Sequence, residues 1–128
     1  MKRVLGIGGI FFKARNLALL HAWYRTHLGI DVQEWGGAVF SWKHDGNPGG
    51  GGSTVWSVFP VESAQFAPSS APFMVNYRVA DLHALLSALR AEGCDVDAKV
   101  DESEYGKFGW VMDPEGNRVE LWEPPPGQ

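Results

Sequence analysis

The feature that most narrows the fold of this chain is an internal repeat at a spacing of 64–65 residues. At an offset of 65, Lys13 falls on Arg78 and the helix-capping Asn16 falls on Asp81. The glycines that stop the two helical stretches, Gly29 and Gly93, lie 64 apart. So do Val55-Trp56-Ser57-Val58-Phe59-Pro60 and Val119-Glu120-Leu121-Trp122-Glu123-Pro124. Capping, stop and terminal-strand signals agree on the period, so the chain reads as two copies of one supersecondary unit.

Each copy reads as strand, helix and three strands. In the first, residues 4–13 form a strand rich in glycine and aromatics. After the cap Asn16, Leu17, Leu20, Tyr24 and Leu28 recur with the helical period, and Gly29 supplies a left-handed stop. Short strands are expected over 31–35, 38–43 and 54–59, with a glycine-rich loop between the last two. In the second copy, 73–79 is a strand, and Asp81 caps a helix whose apolar face is Leu82, Leu85, Leu86 and Leu89. Strands follow over 94–100, 108–112 and 118–122. The last two flank Asp113-Pro114-Glu115-Gly116-Asn117, a segment suited to a tight reversal.

The expected fold class is α+β. A single domain spans 1–128, with modules 4–59 and 73–124 joined by the proline-containing connection 60–72. One helix covers only one face of each four-stranded unit. The two half-sheets are therefore expected to share a curved mixed sheet with a concave cleft, helices lying on the outer face. A repeat of this kind also suits a homodimer.

Composition excludes several function classes. The net charge of −4 is dispersed and no basic stripe is present, which argues against nucleic acid. No apolar run approaches a membrane span. The opening MKRVLGIGGIFF is interrupted by Lys13 and Arg15, so no secretory leader is expected. Cys94 is the single cysteine, which excludes an internal disulfide or a thiolate cluster and fits a cytoplasmic location. It follows a helix end and reads as a small hydrophobe.

The run Asp113–Pro124, DPEGNRVELWEP, with Ala22-Trp23-Tyr24-Arg25-Thr26-His27-Leu28-Gly29 before it, resembles the vicinal oxygen chelate superfamily. That superfamily includes glyoxalase I, extradiol dioxygenases, and fosfomycin- and bleomycin-resistance proteins. The resemblance implies four equivalent strand positions for metal ligands. In this chain they are Gly9, Trp56 (or its neighbour Ser57), Met74 and Glu120. Only Glu120 offers a suitable donor, because glycine has none, indole cannot accept and thioether is weak. The expectation is therefore no metal ligand set and no cofactor. His21, His27 and His83 sit on helical stretches; His44, in the glycine-rich region, is the one a loop could bring to a ligand.

If those four positions face the cleft, period-two alternation extends its lining to Phe11, Lys13, Val58, Asn76, Arg78 and Trp122, with Trp110 on the neighbouring strand. Gly9 would leave room for a ligand ring, and Trp35 and Trp42 are candidates for core, rim or dimer contact. The profile is an apolar pocket with few polar anchors. It points to a small-molecule-binding protein, metal-free in its chemistry, for an aromatic or carbonyl-containing compound. A first alternative is a metal-independent lyase or isomerase acting on a small carbonyl compound. Glu120 would be its catalytic base, with a pKa raised by burial. A second is a metal-dependent lyase or dioxygenase with rearranged ligands.

Overall fold

Asn16 and Asp81 start the two helices as their chemistry requires. Asn16 accepts from the Leu19 backbone N–H at 3.0 Å and Asp81 from that of Ala84 at 3.1 Å. Gly29 closes the first helix in the left-handed region, at φ 67°. A computed structural model describes residues 3–43 and 51–128. In chain order its elements are β1 (Val4–Ala14), α1 (Leu17–Leu28), β2 (Gly37–Ser41), β3 (Ser53–Pro60), β4 (Phe73–Val79), α2 (Leu82–Ala91), β5 (Asp95–Ser103), β6 (Gly106–Met112) and β7 (Arg118–Glu123).

These strands form one seven-stranded sheet, ordered β2-β3-β1-β4-β7-β6-β5. The modules join where β1 and β4 pair antiparallel in the middle of the sheet. Within each module the first strand pairs parallel with the last, β1 with β3 and β4 with β7. The α+β class, the mixed curved sheet and its two helices are as expected. The terminal hairpin closes as read: Asp113 accepts from the Glu115 and Asn117 backbones, each at 2.9 Å, and Gly116 takes φ 81°.

Three details differ. Residues 31–35 are not a strand. Gln33 bonds across to Gly37 at 2.8 Å, Gly36 turns at φ 98°, and only Val32 points inward, so the segment is a turn that buries one side chain. The first module therefore has one strand fewer than the second. β5 continues to Ser103, past the strand end expected at residue 100, because Glu102 and Ser103 pair with Lys107 and Gly106. Cys94 is exposed rather than packed.

Packing under the helices is unequal. Leu82, Leu85 and Leu86 of α2 are buried with Val79 and Leu121. Gly109 makes this close approach possible, because a Cβ there would lie 2.9 Å from Leu86 Cδ1. Helix α1 buries no residue fully. Its Tyr24 lies edge-on to Phe12 and Trp56, while Leu19, Trp23 and Leu28 remain exposed. This asymmetry predicts that Leu86→Ala lowers the unfolding free energy by about 2–5 kcal/mol. Leu19→Ala should stay within about 0.5 kcal/mol of wild type. Urea denaturation of the two variants checks both.

Candidate functional site

Alternation on β7 divides its side chains. Leu121 packs into the α2 core, with Val119 against it, and Glu120 and Trp122 take the opposite, concave face. Glu120 is directly opposite Asn76 on β4 and Trp110 on β6. Both neighbours donate to it: Asn76 Nδ2 to Oε1 at 2.6 Å, Trp110 Nε1 to Oε2 at 2.9 Å. Glu120 is 9% exposed. Burial raises its pKa above the ordinary value, while the bonds from Asn76 and Trp110 and the charge of Arg118 act in the opposite direction.

Asn76 Oδ1 is buried and has no hydrogen-bond partner among the described residues. It lies against Gly8, where an added Cβ would stand 2.2 Å from that oxygen and 2.9 Å from the Trp122 ring. Gly8 thus admits the amide and the indole to the concave face, a role that only close backbone approach reveals.

The remaining expected residues separate into two groups. Phe11, Met74 and Trp110 cluster on the concave side, with Val55 and Phe59 packed against them. Arg78 lies between two indoles, 5.0 Å from the Trp42 ring centre and 5.2 Å from that of Trp122. It donates to the Ser53 and Gln128 carbonyls, and burial lowers its pKa. Trp122 gives its N–H to Tyr105 O at 2.9 Å. Lys13 holds its ammonium 5.2 Å from the Phe66 ring centre.

Trp56 and Val58 are not on this face. The first module pairs Phe11 with Ser57 where the second pairs Asn76 with Glu120. The structural offset on the last strand is therefore 63, one less than the sequence match, and Ser57 is the counterpart of Glu120. Trp56 consequently turns to the helix side, 4.9 Å from Tyr24 and 5.6 Å from Phe12. Nor does Gly9 leave open volume, since its missing side chain is replaced by the Phe11 ring, 2.7 Å from where a Cβ would be. Trp35 is exposed beside Gly37.

Sequence reasoning missed Phe66. It lies in the connection between modules and is fully buried against Phe11, Met74 and Trp110. Its one signal was a lone aromatic in a run of small residues. On the rim, Pro68, Asp95, Asp97, Met112, Trp110 and Arg118 line a depression of about 140 Å³.

A divalent ion does not fit this donor set. Both Glu120 oxygens already accept N–H bonds, and Gly9, Ser57 and Met74 add no imidazole or carboxylate. Among the described residues, no three His, Cys, Asp or Glu side chains gather to hold one. His21 and His27 stay on α1, His83 bonds Glu102 at 2.6 Å, and His44 is outside the described residues.

Known proteins place this arrangement in a family. The model of the glyoxalase-like domain matches residues 9–122. The chain belongs to the glyoxalase-like domain family. Among solved structures it is similar to methylmalonyl-CoA epimerase from Mycobacterium tuberculosis, at 19% identity and TM-score 0.66, covering 98% of this chain and 92% of that one. A methylmalonyl-CoA epimerase in complex with methylmalonyl-CoA and NH4+ gives 16% identity, TM-score 0.69 and 98% coverage of both chains. A glyoxalase/bleomycin resistance protein/dioxygenase superfamily member from Vibrio splendidus 12B01 gives 12% and 0.57, covering 91% and 97%. At these identities the likeness is one of fold. No curated protein sequence matches significantly.

For this glyoxalase-like chain, Gly8→Ala should cost about 1–3 kcal/mol through overpacking. Asn76→Ser gives up the bond to Glu120, and it should cost less in the Gly8→Ala background than in wild type, because the clash is with the Asn76 amide. Denaturant unfolding of the single and double variants reads the coupling. Glu120 carries a pH signature as well. Its folded pKa is raised above the unfolded value of 4.5, so its contribution is full below 4.5 and declines as pH rises toward the folded pKa. The stability of wild type relative to Glu120→Gln should therefore increase on acidification, as pH-dependent urea midpoints would report.

Proposed function

We propose that this chain binds an aromatic or carbonyl-containing small molecule on its concave face and does so without a metal ion. The observation that carries this reading is the pair of N–H donors aimed at Glu120, which fill the space a cation would need. Around them, β4 presents a thioether at Met74, an amide at Asn76 and a guanidinium at Arg78. Such a floor suits a ligand with an apolar part and a carbonyl or anionic end. Epimerases of the same fold have been captured with methylmalonyl-CoA and with 2-nitronate-propionyl-CoA, both acyl-CoA compounds. Chelator-treated protein should bind members of an aryl and carbonyl library as tightly as untreated protein, read by tryptophan fluorescence. A stoichiometric divalent ion, retained by wild type and released by Glu120→Gln, would overturn the reading.

The burial of Glu120 favours one second reading, a metal-independent lyase or isomerase. Glu120 would take a proton from the carbon beside a carbonyl, while Asn76 and Trp110 hold the carboxylate in place. Turnover should then rise with pH through the raised pKa of Glu120, because the base works deprotonated. Chelator should leave it unchanged, and Glu120→Gln should abolish it while ligand still binds. Turnover that survives in that variant removes Glu120 from the chemistry.

The proposal includes a homodimer in the cytoplasm. Trp23 and Leu28 on α1, with Val39 and Phe40 on β2, are exposed apolar side chains that a second copy would cover. The free Cys94 thiol supports a reducing compartment.

A further inference from the structure

The connection between modules crosses the concave face as a strap, and its attachments are few. Of residues 64–68, Ala64, Gln65, Ala67 and Pro68 are exposed, and only Phe66 points inward. The strap is tied at its ends, where Val61 N–H donates to Ala14 O at 3.0 Å and Lys13 N–H to Pro72 O at 2.8 Å. Between those ties its hydrogen bonds are mostly internal: Gln65 to Ser63, Ala67 to Ala64, Ser69 to Phe66 and Ala71 to Ser69. One bond reaches the sheet, from Arg118 Nη1 to Gln65 O at 2.5 Å. Arg118 is held independently, by Asp97 at 3.3 Å and by the Trp110 ring face at 4.7 Å. The strap could leave and Arg118 would keep its place.

The Phe66 ring occupies a chamber made by Phe11, Phe59, Met74 and Trp110, with Phe59 at 5.2 Å between centroids. The Lys13 ammonium lies over that ring and has no carboxylate within ion-pair distance among the described residues. Phenylalanine satisfies the apolar walls and leaves the cation with ring electrons alone. A ring bearing a carboxylate would satisfy both. We propose that Phe66 is an internal stand-in for the ring of an aryl carboxylate, that Lys13 takes the carboxylate, and that the strap withdraws to admit the ligand. The proposal rests on the reading of the concave face as a small-molecule site, and it names the ligand class.

Because the strap must open first, wild type binds through a minor open state, and its apparent affinity is reduced by that state's population. Removing the ring removes the reduction. Benzoate should bind Phe66→Ala about tenfold or more tightly than wild type, by calorimetry, with Phe66→Leu between them. In the Phe66→Ala background, Lys13→Met should abolish the advantage of benzoate over toluene. In wild type, saturating benzoate should speed hydrogen exchange at the amides of Gln65, Phe66, Ala67 and Ser69. Equal benzoate affinity for wild type and both variants overturns the proposal, and so does binding that leaves strap exchange unchanged. If Phe66→Ala fails to fold, Phe66→Leu and the exchange experiment decide. A library compound that binds wild type with the strap still protected removes this subsite and leaves the metal-free binding function standing. Failure of every compound with every variant removes both.

Discussion

Three neighbouring strands meet at one carboxylate. Asn76 on β4 and Trp110 on β6 flank Glu120 on β7 in register, and each gives it an N–H bond. A buried carboxylate without such donors is costly, whereas a hydrogen bond to a charged group contributes about 1.5–3 kcal/mol. The arrangement therefore demands one strand parity. A slip of one residue on β7 would send Glu120 into the leucine core under α2 and turn Leu121 to the cleft. Register, module packing and site chemistry are thus set by the same residue. The two donors also support the metal-free reading proposed above, since N–H groups directed at both oxygens oppose an incoming cation.

The modules share a topology without sharing its packing. In the second, α2 drives three leucines against Val79 and Leu121, and Gly109 lets helix and sheet approach closely. In the first, α1 rests on Tyr24, Phe12 and Trp56, and its other apolar side chains stay in solvent. The sheet edges differ in the same sense. Edge strand β5 carries Asp95, Asp97, Lys99 and Asp101 and an irregular register, both of which discourage pairing with another chain. Edge strand β2 is short and presents Val39 and Phe40. The closed half is the one that holds Glu120, as expected if a buried polar group needs a rigid frame.

Local chemistry was legible from the sequence. Both caps, the Gly29 stop, the Asp113–Asn117 reversal and the facing of Glu120 depend on residues close together along the chain, and all stand in the structure. The parity of β3 was not legible. The Val55–Pro60 and Val119–Pro124 runs match at 64, but the fold pairs them at 63, so Trp56 and Val58 fall on the helix side and Ser57 on the concave side. Sequence similarity ranked the shared valine and proline at the ends of the two runs above the pleat, and nothing local could correct it. Gly9 failed for a related reason: an absent side chain leaves a cavity only when no neighbour fills it, and Phe11 does. The strap lacks any periodic pattern, so Phe66 gave no sign of which surface it would cover.

A cleft completed by its own side chains sets a particular condition on recognition. Glu120 has both donors, the Trp122 N–H has the Tyr105 carbonyl, and the Arg78 donors have backbone oxygens. A ligand that displaces any of these must replace a bond as good, and most of its polar contacts would return little net free energy. Exchanging one ring for another costs the opening of the strap but breaks only the Arg118–Gln65 O bond to the sheet, which makes the Phe66 chamber the least costly place to begin. Asn76 Oδ1 differs from these groups: it is buried, faces Gly8 and has no partner among the described residues. A donor reaching that oxygen gains a bond without breaking one. In a site otherwise satisfied by its own residues, that acceptor and the Lys13 ammonium, which has no carboxylate partner among the described residues, are where a ligand's polar groups would add affinity rather than trade it.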